Sequence, residues 1–107
     1  MALDILVSDL SDKVEKSVSL YLEEYNSIME RIENNNDFAL VRKAISNYYG
    51  EYEIYLNELD KLNKEALHLK DSFKHSHSQN LKEFIEEFLD IIDYALKHHR
   101  TIKFIGD

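Results

Sequence analysis

The strongest pattern in the sequence lies in residues 38–73, FALVRKAISNYYGEYEIYLNELDKLNKEALHLKDSF. Apolar side chains recur there at alternating steps of three and four residues. They are Phe38, Val41, Ile45, Tyr48, Tyr52, Tyr55, Leu59, Leu62, Ala66, Leu69 and Phe73. An α-helix places positions with this spacing on one face, and a mean step of about 3.5 residues lets that face follow a partner helix. The stretch therefore predicts one long helix with a coiled-coil-like seam.

Gly50 is the one residue that argues against a continuous helix over residues 38–73. A glycine in a helix interior costs about 1 kcal/mol relative to alanine. The apolar spacing nevertheless passes through Gly50 unchanged, and Gly50 falls on the outward side of the predicted helix. We therefore expect the helix to continue, with the alternative that it ends at Tyr49 and the chain forms four helices.

A further helix is predicted on each side of this stretch. The first covers about residues 4–33, although residues 1–10 also suit a separate turn, and its apolar stripe has a mean spacing of about 3.6 residues. The break at Asn34–Asp37 is rich in Asn and Asp, which favour turns and helix caps. The third covers about residues 79–104 and follows the polar segment 74–79. The two outer stripes are Leu3, Val7, Leu10, Val14, Val18, Tyr21, Tyr25, Ile28 and Ile32, and then Leu81, Ile85, Phe88, Ile92, Ala95, His99 and Ile102.

The composition supports this reading. The chain has 107 residues, the size of one domain, with no proline and 2 glycines, so the residues that usually punctuate sheets and long loops are scarce. We therefore predict an all-α fold, an antiparallel three-helix bundle that forms a single domain over residues 1–107. Cysteine is absent, which excludes disulfides, zinc-thiolate sites and thiol nucleophiles.

Charge and hydropathy narrow the class of partner. The formal net charge is −8, which disfavours direct binding to nucleic acid or to anionic membranes, because both depend on Lys and Arg. No apolar run reaches the ~18–20 residues that span a bilayer, and residues 1–10 contain no basic residue. We expect a cytoplasmic protein, with signal-independent export still open, whose partner is a basic or helical protein.

The clearest candidate binding surface is an acidic ridge on the predicted third helix. We define it as Glu83, Glu86, Glu87, Asp90 and Asp93, which recur at helical neighbour spacing. Lys82 and Lys97 flank this ridge, and we expect them not to neutralise it. Such a ridge could be an ordinary solvated face, or it could dock a protein rich in Lys and Arg.

Other residues add weaker signals. A second acidic line is predicted on the second helix at Glu51, Glu58 and Glu65. Tyr49 lies off the apolar seam and is the best candidate for an exposed aromatic contact, because Tyr is enriched at binding hot spots.

The histidines do not form a convincing metal site. Glu65-x-x-His68 is half of the di-iron bundle motif, which needs two such pairs, and His75-x-His77 and His98-His99 lack a third ligand. His99 is the only polar residue on the third stripe and is expected to be a boundary residue. We predict no catalytic residue, metal ligand or cofactor.

The sequence therefore favours a non-enzymatic, acidic helical-bundle protein that binds a protein partner, of the inhibitor, immunity, adaptor or chaperone type. One alternative is a structural or secretion-associated homodimer, which an exposed apolar strip at Ile5, Leu20, Leu40, Ile54 and Leu56 would indicate. Another is a small helical enzyme or metal-binding bundle, which would need a pocket with converging titratable groups. Length and acidity are similar to those of small secreted helical hairpins, but the Trp-x-Gly turn of that class is missing, so no family is assigned.

Overall fold

The computed structural model describes residues 2–46 and 48–106, and it overturns the predicted all-α bundle. This part of the chain forms a four-stranded antiparallel sheet with helices packed on it. The strands are β1 (Ala2–Ser8), β2 (Val14–Tyr21), β3 (Glu51–Ile54) and β4 (Ile102–Gly106). The helices are α1 (Leu22–Ile32), α2 (Ala39–Ser46), α3 (Leu59–Ser72) and α4 (Gln79–His98). Short 3₁₀ turns, Asn36–Phe38 and Leu56–Glu58, lead into α2 and α3.

The sheet has the strand order β2-β1-β4-β3. Ile5 in the middle of β1 lies opposite Val18 of β2 on one side and Phe104 of β4 on the other. The two ends of the described chain are therefore neighbouring central strands. β2 and β3 form the two edges of the sheet.

The predicted first helix, residues 4–33, is wrong over residues 4–21. Residues 2–21 form the β1–β2 hairpin, and α1 begins only at Leu22. The spacing of the apolar residues does not distinguish a helix from a strand here, because a step of four residues, such as Leu3 to Val7, returns to the same face in both. The discriminating residue is Ile5, halfway between them, which is as fully buried as Leu3 and Val7.

The predicted continuous second helix is also wrong. α2 ends at Ser46, a turn at Tyr48–Gly50 follows, and β3 occupies residues 51–54 before α3 begins. The helix thus ends before Gly50, as the alternative with four helices predicted. The chain then enters a strand and not another helix. The backbone N–H of Gly106 donates to the carbonyl oxygen of Gly50 at 2.7 Å, and a Cβ on Gly106 would lie 1.8 Å from the Tyr48 carbonyl oxygen. Only glycine permits this close approach of the last strand to the turn.

The predicted third helix is correct at its start and wrong at its end. The Ser78 hydroxyl accepts a hydrogen bond from the N–H of Leu81 at 3.2 Å and caps α4. His99 adopts a left-handed conformation (φ 54°) that terminates α4. Residues 99–104, predicted as the end of this helix, instead lead into β4 and form its first three residues, of which Ile102 and Phe104 are buried.

The helices cover one face of the sheet and leave the other open. Every second residue of β1 is buried against them, whereas Asp4 and Leu6 on the opposite face are only half-buried. Phe88 of α4 stacks on Phe84 and meets Phe104 edge-on, with ring centroids 5.7 and 6.2 Å apart. This is a two-layer α/β arrangement around one hydrophobic core. Within residues 2–46 and 48–106, no helix combines the length and apolar character that crossing a bilayer requires.

Candidate protein-binding surface

The acidic ridge predicted on the third helix lies on the solvent side of α4. All of its members are exposed. Lys70 pairs with Glu86 at 2.9 Å and Lys97 pairs with Asp93 at 3.0 Å. The expectation that the flanking lysines leave the ridge unneutralised is therefore wrong for Asp93, and Glu86 is paired with a lysine of α3.

A groove lies between β2 and the first half of α4. Its rim consists of Ser19, Tyr21, Glu24, Asn80, Glu83 and Glu87, and Val18 and Phe84 form its apolar floor. We call it the β2–α4 groove; its volume is about 250 Å³. The groove thus combines two residues of the predicted ridge, Glu83 and Glu87, with a third carboxylate that α1 supplies, Glu24.

Within the described part of the chain, the carboxylates of the β2–α4 groove make no direct ion pair, although Lys82 lies near Glu83 and Glu87 on the outer surface of α4. Among the described residues, no ion pair involves Glu24, Glu83 or Glu87. Glu83 only accepts a long hydrogen bond, 3.4 Å, from the side-chain amide of Gln79. Carboxylates on the walls of a groove attract cationic groups more strongly than the same charges on a flat surface, because the low-dielectric walls focus the field.

The strand that borders the groove is an open sheet edge. β2 pairs with β1 on one side, and no strand of the described chain pairs with its other side. Edge strands of this kind present N–H and C=O groups that an additional strand can bind. Tyr21 at the end of β2 is 57% exposed. The hydroxyl of Ser19 donates to the Asp4 carboxylate at 2.8 Å across the open face of the sheet, which links β2 to β1 by a side-chain contact as well.

Tyr49 is exposed as predicted, with 60% of its surface accessible, but it does not line the β2–α4 groove. It belongs to an aromatic cluster in which Tyr48 meets Tyr49 at 5.3 Å and Tyr25 at 4.5 Å between ring centroids. The Tyr48 hydroxyl donates to the Leu20 carbonyl oxygen at 3.0 Å, which anchors the cluster to β2. Burial raises the pKa of Tyr25 above its ordinary value. A binding role for Tyr49 remains a prediction.

The second predicted acidic line does not exist. Glu51 lies in β3, Glu58 in a 3₁₀ turn and Glu65 in α3. Glu65 is moreover buried, and its carboxylate oxygens accept the N–H groups of Leu40 and Val41 at 3.3 and 2.8 Å. It therefore stabilises the beginning of α2 and offers nothing to a partner.

The histidines do not converge. His68 is exposed and lies 6.1 Å from the Phe38 ring, edge-on. His99 is exposed in the left-handed turn after α4, so its predicted place on an apolar helix stripe is wrong. Within residues 2–46 and 48–106, no group of three or more His, Cys, Asp or Glu side chains is arranged to hold a metal ion.

The apolar strip chosen as the mark of a homodimer is mostly inside the molecule. Ile5, Leu20, Leu40 and Ile54 are buried in the core, and only Leu56, at 46% accessibility, is exposed. These residues therefore cannot form the predicted dimer face, while the homodimer alternative itself stays a prediction.

Sequence reasoning missed an ion pair that fixes the far end of the β2 edge. The Arg100 guanidinium donates from Nε to Glu15 Oε1 at 2.8 Å and joins the beginning of β2 to the segment between α4 and β4. This hydrogen bond lowers the pKa of Glu15 below its ordinary value. The aromatic ring of Tyr94 lies alongside, 5.7 Å from the Lys16 ammonium. Glu15 and Arg100 are 85 positions apart, so no local signal connects them.

Comparison with protein families, with curated proteins and with solved structures found no match to this chain. The interpretation of the site consequently depends on its geometry and charge.

Proposed function

We propose that the chain is a non-enzymatic protein-binding module whose β2–α4 groove holds an extended, Lys- or Arg-containing segment of a partner protein. The partner segment adds to the open edge of β2 through backbone hydrogen bonds. Its alternate side chains point toward α4, where the groove places Glu24, Glu83 and Glu87. The observation that carries the proposal is that an unpaired strand edge lies beside three carboxylates that have no ion-pair partner in the described part of the chain.

The negative charge of the β2–α4 groove also favours a different protein, and not a second copy of this chain, as the partner that occupies it. Pairing β2 with β2 of another copy would bring both sets of groove carboxylates, Glu24, Glu83 and Glu87, toward the same junction. Like charges brought together at an interface are destabilising. A basic segment meets the opposite condition, since each of its cations gains a carboxylate partner.

The strand edge and the carboxylates have different roles in this mode of binding. The strand edge supplies affinity without regard to sequence, because every peptide has the same backbone groups. The carboxylates of α1 and α4 supply selectivity, because they favour cations and reject acidic segments. A protein of the inhibitor, immunity, adaptor or chaperone type would use such a groove in the same way.

The test uses two synthetic peptides as long as β2, 8 residues, one with Lys and one with Glu at every second position and Thr between. We expect the Lys peptide to shift the backbone amide NMR signals of residues 14–21 and 80–87, and the Glu peptide to leave them unchanged. Affinity for the Lys peptide should fall with added salt, because exposed charge pairs are screened.

A variant pair makes the test specific. Neutralising the groove with Glu24→Gln, Glu83→Gln and Glu87→Gln should weaken binding of the Lys peptide about tenfold, since exposed ion pairs contribute about 0.2–1 kcal/mol each and 1.4 kcal/mol is a factor of ten. The matched control, Glu30→Gln, Glu33→Gln and Glu51→Gln, removes the same charge from exposed positions outside the groove. Equal loss in both variants, or equal binding of both peptides, would contradict the proposal.

A further inference from the structure

A second feature of the surface is an apolar side chain that stands in solvent at one end of the molecule. Leu10, at the tip of the β1–β2 hairpin, is 98% exposed. The Asp9 carboxylate accepts the N–H groups of Ser11 and Lys13 at 2.8 and 3.0 Å, so the loop that carries Leu10 is ordered by its own hydrogen bonds. Asp12, in the left-handed conformation (φ 63°), completes the turn. The tip is therefore a pre-formed knob, a leucine flanked by two aspartates.

An apolar pocket with a charged rim lies at the other end of the molecule, between α3 and α4. Phe73 and Ile85 form its apolar floor, and Lys70, Lys74, Lys82 and Glu86 form its rim. Its volume is about 210 Å³. Apolar cavities of about 150 Å³ admit a benzene molecule, a larger group than the four-carbon side chain of leucine.

The rim of this pocket is positive although the chain as a whole is acidic. It carries three ammonium groups and one carboxylate. Lys70 pairs with Glu86 and Lys74 with Asp71, both through largely exposed side chains, while Lys82 has no ion-pair partner among the described residues. The Arg31 guanidinium lies 4.8 Å from the Phe73 ring centroid and adds a further cation beside the floor.

The two features cannot meet within one molecule. Leu10 lies beside His99 and Arg100, just past the C-terminal end of α4, whereas the pocket is built on Lys82 and Ile85 near the beginning of α4. At ~1.5 Å per residue, the helix separates them by about 20 Å. The knob and the pocket can therefore contact each other only between two copies of the chain.

We infer that this chain associates head to tail, with Leu10 of one copy inserted into the α3–α4 pocket of the next and with Asp9 and Asp12 facing the lysine rim. The contact is heterologous, because the surfaces that meet are different, so it produces open chains or closed rings and not a two-fold dimer. It leaves the β2–α4 groove free and does not depend on the function proposed for that groove.

The test is sedimentation equilibrium of the full chain up to millimolar concentration. The average mass should rise steadily with concentration. Leu10→Ser should weaken association by about tenfold or more, because the apolar group that the pocket buries is lost. Lys74→Glu with Lys82→Glu should do the same by reversing the rim charge.

Controls separate the specific contact from general repulsion. Lys61→Glu with Lys64→Glu changes the net charge equally at exposed positions of α3 outside the pocket, and it should retain more association than the rim variant. Far-UV circular dichroism checks that every variant is folded.

Mixing the two defective variants gives the decisive result. The Leu10→Ser protein keeps its pocket and the rim variant keeps its knob, so an equimolar mixture should form a one-to-one dimer that neither variant forms alone and that cannot grow further. A monomeric wild-type chain at millimolar concentration, undiminished association of Leu10→Ser, or a mixture that stays monomeric would each overturn the inference.

Discussion

The carboxylate of Glu65 shows how far the environment of a residue decides its role. Three glutamates on α1 and α4, Glu24, Glu83 and Glu87, face water and line a groove, whereas Glu65 is 6% exposed and holds the first N–H groups of α2. These N–H groups have no partner within their own helix, so a side chain from elsewhere must satisfy them. Glu65 acts for α2 as a helix cap would, but it comes from α3.

Removing this carboxylate should cost much of the stability of the fold. We expect Glu65→Ala to lower the free energy of unfolding by about 3 kcal/mol, because hydrogen bonds to charged groups contribute about 1.5–3 kcal/mol and the N–H groups of Leu40 and Val41 would stay buried without an acceptor. Glu65→Gln keeps one oxygen acceptor and should cost about half as much. Urea denaturation measures both. Lys64→Ala, one residue away and exposed, is the control, and an equal effect of Lys64→Ala and Glu65→Ala would refute the capping role.

The sequence predicts the helices of this chain better than its strands. The Ser78 cap, the long apolar stripe of α4 and the Asn-rich break after α1 are local signals, and each corresponds to a feature of the structure. The strands were missed because steps of four residues fit a strand as well as a helix. The alternation Glu51-Tyr52-Glu53-Ile54 was visible, but four residues are too few to outweigh a heptad pattern that runs through them.

The ends of the elements are joined by contacts that no local pattern reveals. The Glu15–Arg100 pair connects the start of β2 to the segment after α4, with both side chains about a quarter exposed (24% and 27%). Because Arg100 lowers the pKa of Glu15 in the folded chain, the unfolded chain binds a proton to this group more readily. The pair therefore stabilises the fold above the ordinary glutamate pKa, and this contribution is lost as the pH falls through the lowered value.

This linkage gives a pH-dependent prediction. The stability difference between the wild type and Glu15→Gln should be constant near neutral pH and shrink as the pH falls below the ordinary value of 4.5. Unfolding by urea at a series of pH values measures it. Glu30→Gln, which removes a carboxylate from an exposed position of α1, is the control for the loss of one negative charge. If the wild type and Glu15→Gln respond identically to acid, the pair does not link β2 to the segment after α4.

Surfaces assembled from several elements are the features that the sequence predicts least well. The β2–α4 groove draws its residues from β2, α1 and α4, so its carboxylates come from positions about 60 apart in sequence. Periodicity indicated that Glu83 and Glu87 share a helix face, but the strand beside them and Glu24 across from them follow only from the tertiary fold. The acidic surface was thus half predictable, and the open strand edge that gives it a binding mode was not.

β4 gives the sharpest test of this architecture, because it pairs with both β1 and β3 and packs on α4. Phe104 is 1% exposed, whereas its neighbour Ile105 points to the open face of the sheet and is half-buried. Phe104→Ala should lower the free energy of unfolding by about 3–5 kcal/mol, the usual cost of emptying an aromatic site in a core. Ile105→Ala should cost about 1 kcal/mol or less, because its side chain remains near water. If residues 102–106 were instead the frayed end of a helix in a bundle, both substitutions would have small effects on stability. A small effect of Phe104→Ala in urea denaturation would therefore contradict a central β4 strand.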